Sequence, residues 1–324
     1  MQIVNFDLLI ENPGDLKLEI TTIEMSMLTA DGRFIAQRRV QPNGMSILTI
    51  PNRFIEPKGR LVVFNPFHSL PDDLQFSTLR FELVFGDNKQ TDELYRVKLD
   101  VTPKAYVQKS VLEIPIRGRV FVHDGHDHLA HHRRLDITGD MTTALKINTN
   151  MSRYAYDFVQ VDEQGRMRKG ASAENTDYYC FGTPVHAPGD GVVVKAANDQ
   201  HDNDPRNRFK PDFAAVMKNI HLIGGNYVVL DHGNGEFSFL AHLKAGSVLV
   251  KAGERVKRGQ KIGEVGASGD AMFPHLHYQL QSDNYVGEGL PSYFDGFERV
   301  VGAKAVAVVR GQVDTGDVLL VKER

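Results

Sequence analysis

Along the first third of the chain, apolar residues recur in short runs, several with the period of two expected of a strand buried on one face. Such runs occupy residues 6–10, 17–25, 34–39, 46–50, 60–64, 78–84 and 94–101. Asn12-Pro13, Asp31-Gly32, Asn43-Gly44 and Gly86-Asp87 punctuate them with turn chemistry. Short strands at this spacing predict a β-sandwich-like accessory domain over residues 1–105. No side chains within it have catalytic spacing, so a supporting or binding role is expected.

Beyond residue 106 the strand pattern continues, at 191–196, 226–231, 236–242, 261–265 and 276–280, with glycine-rich turns between the runs. This predicts a mostly antiparallel sheet, a brief helix over 214–219 and a polar surface loop over 199–211. Alternation returns at 303–321 around a turn near 314–317, and predicts a β extension (301–324) packed on the domain over 106–300. The histidines change the picture. Of 13 in the chain, only His68 precedes residue 106, whereas residues 118–136 alone hold His123, His126, His128, His131 and His132.

His275-Leu276-His277 is the sharpest local feature. On a strand, residues i and i+2 share a face, so both imidazoles enter one space while Leu276 packs. One ring can ligate a metal while its neighbour serves a substrate. His242 ends an alternating run before a turn; taken alone it reads as a satisfied core histidine. Asp157 stands inside the aromatic run RYAYDF, and a buried carboxylate is costly unless paired or coordinated. A salt bridge to an arginine such as Arg153 is the alternative use for it. Zinc hydrolases commonly take three ligands from His and Asp/Glu and leave a fourth position for water. Asp157, His277 and a histidine of the HHRR segment, His132 ahead of His131, make such a set. His242 and His275 then remain for proton transfer and for hydrogen bonding a developing oxyanion.

Five ordered blocks carry a family resemblance: RYAYDF (153–158), FGTPVHAPGDGVVV (181–194), GNYVVLDHGNGEFSFLAHLKAGSV (225–248), VKAGERVKRGQKIGEVGASGD (250–270) and PHLHYQL (274–280). From Val120 to Gln281 the chain resembles the M23 peptidases, the lysostaphin-like or LytM-like zinc endopeptidases that cut peptide bonds in bacterial peptidoglycan. The resemblance implies an antiparallel β core with a groove over Zn2+, with Asp157 and His277 as ligands and His242 and His275 as the catalytic pair. One position departs from the family's common form, which has a histidine four residues before the ligand aspartate; here it is Arg153. The first ligand then comes from an earlier strand ending near HHRR, as His132 or His131. A rival register pairs His132 with Asp136.

Composition bounds these readings. The formal net charge of −3 gives no electrostatic case for nucleic acid, and the mixed charge and 41% hydrophobic content argue against extensive disorder. The lone cysteine, Cys180, excludes an intramolecular disulfide and a multi-cysteine zinc site. No apolar stretch approaches the ~18 residues of a membrane-spanning helix, and no leader is visible at the start. GASGD lacks the lysine of a phosphate-binding loop, so its glycines read as turn formers. The expected function is a zinc endopeptidase acting on peptidoglycan or small peptides, in the periplasm or outside the cell. The alternative is a noncatalytic scaffold that binds cell wall or activates another wall hydrolase; zinc content separates the two.

Overall fold

A computed structural model describes residues 2–41, 52–87, 93–127, 130–170, 174–204 and 212–323. The chain divides into two compact units, Met1–Tyr106 and Val107–Arg324. In the first, strands Phe34–Val40, Leu18–Leu28, Thr78–Gly86 and Tyr95–Val101 lie side by side, with Phe54–Ile55 added to the second of them. Leu18–Leu28 buries Leu18 and Ile20, then Ile23, Met25 and Met27. The switch from even to odd positions follows from a register shift between Ile20 and Thr22, because one extra residue re-aims every later side chain. Leu8, Leu61 and Val63, from the paired strands Asp7–Glu11 and Arg60–Phe64, share that core. The run at 46–50 lies outside the described residues.

The second unit is built on an eleven-stranded antiparallel sheet. Its order is Arg255–Val256, Gly191–Ala197, Asn226–Asp231, Phe237–Leu243, Leu276–Gln281, Tyr156–Gln160, Gly118–Asp124, Val318–Val321, Phe294–Val301 and Lys304–Gly311. Gly289–Leu290 pairs on the Leu276–Gln281 strand off this path. The mostly β character follows the hydrophobic pattern. Alternation on the central strands sends Tyr156, Phe158, Leu276, Tyr278 and Leu280 into the core, where Tyr156 and Phe158 stack at 5.5 Å and Phe294 closes edge-on against both. The same alternation leaves Asp157, His277 and Gln279 to the other side of the sheet. Val318–Val321 sits between Gly118–Asp124 and Phe294–Val301, so the C-terminal strands continue the large sheet. A short helix, Phe213–Lys218, starts at Asp212, whose carboxylate accepts from Ala214 N and Ala215 N. Residues 205–211 of the expected 199–211 loop lie outside the described residues.

Candidate metal centre

Strand pairing sets one transverse row of side chains. Asp124 lies opposite Asp157, Asp157 opposite His277, and His277 opposite Ala241. His242 follows Ala241 at the strand's end. A register shift between Val122 and Asp124 puts Asp124 on this row. Behind it, the 3-10 turn His132–Arg134 brings a buried His132 to the same place. The cleft so formed, of about 530 Å3, is lined by Asp124, His132, Asp157, His242, His275 and His277 among others. A larger cleft of about 840 Å3 in the first unit is walled mainly by apolar side chains such as Leu8, Leu16 and Phe85, so the chemistry sits in the smaller one.

Three imidazole nitrogens surround a single carboxylate oxygen. Asp157 Oδ1 lies 3.2 Å from His277 Nδ1, 3.5 Å from His132 Nε2 and 3.5 Å from His275 Nε2. His277 donates its Nε2–H to Gln279 Oε1 at 3.0 Å, and His275 donates Nδ1–H to the Phe273 carbonyl at 2.8 Å. In neutral rings, the nitrogens left facing Asp157 are bare. Two lone-pair acceptors at such a distance repel unless a cation lies between them. The donors His132, Asp157 and His277 are of the kind zinc takes. A zinc ion fits these residues.

The electrostatics agree. Burial alone would raise the Asp157 carboxyl, but His275, His132 and His277 around it hold it well below the usual carboxylate range. Burial pushes His132 down to about 3 and lowers His275, which favours the neutral ring that a metal ligand or a proton acceptor needs. The Nδ1 of His132 is buried without a hydrogen-bond partner among the described residues.

His242 is placed by strain and by a clasp. Its φ of 61° is left-handed, a conformation that costs a residue with a Cβ about 1–2 kcal/mol and clusters at functional sites. Its Nδ1–H donates to Ser268 O at 2.8 Å. The Ser268 hydroxyl donates to Leu243 O at 2.6 Å and accepts from Asn226 N at 2.9 Å, closing the 266–270 loop onto the strand. Gly225 and Gly269 make the approach possible: both have φ of +69°, and a Cβ on Gly269 would lie 2.3 Å from Gly225 N. Burial, with His275 and His277 adding to it, lowers His242 well below the ordinary histidine range. The His242 and His275 rings stand 4.7 Å apart.

The structure thus brings together His132, Asp157, His242, His275 and His277. His131 lines the same cleft but is 67% exposed and pairs through Nδ1 with Asp124 Oδ2. Asp136 caps its own turn, accepting from Thr138 N at 2.8 Å, and Arg153 pairs with Glu288, not Asp157. Of the histidine-rich segment, His126 packs against Tyr154 and Tyr156, and His128 lies outside the described residues. Asp124 is the residue that sequence reading missed. With His131, His132 and Asp157 it forms a second donor group, its ligand atoms within 4.8 Å of one another. The VHDGHDH run was a compositional signal for it, but the bulge that re-aims it has none.

The sequence profile of peptidase family M23 matches residues 172–287, which include His242, His275 and His277 but begin downstream of Asp157. Two curated relatives are peptidoglycan DD-endopeptidases of Vibrio cholerae. ShyA is 38% identical over 114 residues, 35% of this chain and 21% of its own length. ShyC is 39% identical over 106 residues, 32% of this chain and 19% of its own. The chain therefore spans about a fifth of the length of these relatives. Among solved structures, the lysostaphin catalytic domain of Staphylococcus simulans is 24% identical, with a TM-score of 0.24, covering 38% of this chain and 84% of that one. On the profile match and these identities, the chain carries a domain of peptidase family M23.

Proposed function

We propose that the Val107–Arg324 unit is a zinc-dependent endopeptidase that hydrolyses peptide bonds of peptidoglycan, in cross-bridges or stem peptides. The observation that carries this reading is the convergence of His132, His275 and His277 on Asp157 Oδ1, with the opposite ring nitrogens of His275 and His277 already donating to oxygen acceptors. His132, Asp157 and His277 would hold the metal. A bound zinc ion supplies Lewis acidity at the scissile carbonyl and lowers the pKa of water. His242 and His275, each with Nδ1–H fixed on a backbone carbonyl, keep Nε2 as the acceptor. One of the two takes the proton from the attacking water at Nε2, and the imidazolium so formed passes that proton to the leaving amine. Burial lowers the proton affinity of both rings.

The DD-endopeptidase names of the relatives support peptidoglycan as the substrate, and such a substrate lies in the periplasm or outside the cell. Among the described residues no helix is long and apolar enough to cross a membrane. The test is chromatography of peptides released from purified peptidoglycan. Release that stops on chelation and returns with zinc is expected. A zinc-loaded protein without turnover on wall or on short glycine- and alanine-containing peptides would contradict the reading and favour a scaffold.

A further inference from the structure

The two histidines assigned to the metal sit on elements far apart in sequence, yet one chain of buried and partly buried hydrogen bonds joins them. His277 Nε2–H donates to Gln279 Oε1 at 3.0 Å, and Ser152 Oγ donates to that same oxygen at 3.1 Å. Ser152 N donates to Asn150 Oδ1 at 3.1 Å. The amide of Asn150 in turn donates to the carbonyls of His132 and Arg133, at 3.2 and 3.0 Å. Gln279 is anchored from behind, its Nε2 donating to Gln281 Oε1, while Gln281 Nε2 donates to Asp283 O at 2.6 Å. Gln279 is 3% exposed and Asn150 1%. Neither amide lines the cleft.

Direction matters more than proximity here. With its nitrogen committed to Gln281, the Gln279 side chain can only accept from His277. A ring that must donate from Nε2 carries its lone pair on Nδ1, the atom facing Asp157. On the other side, Asn150 fixes the turn bearing His132 with both of its donors, which a short 3-10 turn without a side-chain cap does not do for itself.

We propose that Gln279, Ser152 and Asn150 act as one positioning shell that sets the His277 tautomer and locks the His132 turn in register with it, so that the metal meets a preformed donor set. Hydrogen-bond partners of this kind orient the ligating ring and raise its basicity, and their loss typically weakens metal binding about 10–100-fold. None of the three is a catalytic residue. The proposal rests on His132 and His277 being ligands.

The experiment measures the zinc affinity of the full chain by competition with a chelating dye, beside its thermal melting. Gln279→Met keeps the size and removes the acceptor; it is expected to weaken zinc binding about 10–100-fold. Gln279→Glu keeps the acceptor and gives up only the donation to Gln281; its affinity should stay within about threefold of the parent's or exceed it. A purely space-filling role would reverse that order, since a buried charge fits worse than Met. Asn150→Asp, which loses both donors, should weaken binding, and its effect should be less than multiplicative with Gln279→Met because the two belong to one network. A folded Gln279→Met with parental affinity, or a Gln279→Glu as weak as it, overturns the proposal. Should Gln279→Met not fold, the ring-nitrogen chemical shifts of His277 in the zinc-loaded parent decide: a proton on Nε2 supports the proposal and a proton on Nδ1 overturns it. His277→Ala distinguishes the two levels. Parental zinc affinity in that variant means that the ligand assignment itself has failed, whereas its loss beside an unaffected Gln279→Met rejects the shell alone.

Discussion

His277 and His132 reach the same carboxylate oxygen from opposite kinds of backbone. His277 stands in the middle of a sheet, paired across the strands with Asp157 on one side and Ala241 on the other. Its direction follows from the alternation that buries Leu276 and Tyr278 beneath it. His132 stands in a three-residue 3-10 turn outside the sheet, and the side-chain amide of Asn150 holds it in place. A sheet fixes a ligand through many backbone bonds at once. A turn depends on a few specific contacts, and its ligand is correspondingly easier to displace.

The largest effects should come from the strand half. Asp157→Ala and His277→Ala are expected to remove most zinc from a parent holding about one ion per chain and to abolish turnover; metal analysis beside a peptide-release assay reads both. His132→Ala should deplete zinc more than His131→Ala, since His131 is mostly exposed and tied to Asp124. Equal depletion by the two would erase the distinction drawn between them. His242→Ala, next in size, should retain zinc and fold while kcat falls by about 10²–10⁴-fold, and a parental kcat would remove His242 from the mechanism.

Gly269→Ala tests the clasp that supports His242. A methyl group there would overlap Gly225 N, so a loss of about 2–4 kcal/mol is expected, read as a lowered denaturation midpoint. Unchanged stability would mean that the 266–270 loop moves freely away.

The smallest effect is on pH dependence. In the metal-free protein, burial lowers His242, His275 and His132 from an ordinary value of 6.5. The unfolded chain therefore binds protons that the folded one refuses as pH falls below about 6.5. Their contribution to stability is full above that value and is lost progressively below it. Asp157, lowered from 3.8, acts in the same direction at more acid pH. The melting temperature of the metal-free protein should fall between pH 7 and pH 5, and His242→Ala should flatten the slope. A rise on acidification would contradict the neutral, buried state of these rings.

What the sequence disclosed follows the same division. Alternation alone aimed His275 and His277 at one space and turned Leu276, Tyr278 and Leu280 into packing, because a period of two is a local property of the strand. The earlier strand expected to end near HHRR spans Gly118–Asp124 and stops short of that segment, which forms a 3-10 turn instead. Asp124 escaped as a site residue because a bulge changes facing without changing residue type. Choosing between His131 and His132 needed the turn's phase, which follows from contacts with Asn150, 18 residues away from His132. Gln279 and Ser152 are 127 residues apart, and nothing local in either marks them as partners. The glycines of GASGD read as turn formers, whereas Gly269 serves close backbone approach.

One ion is expected to bind His132, Asp157 and His277, leaving Asp124 and His131 to each other. Anomalous scattering collected on both sides of the zinc absorption edge, from crystals of the zinc-loaded protein, tests it most directly. The expected result is a single strong peak among His132, the Asp157 carboxylate and His277 Nδ1, with His242 and His275 outside bonding distance. A peak bound by Asp124 and His131, with His277 uncoordinated, would contradict it.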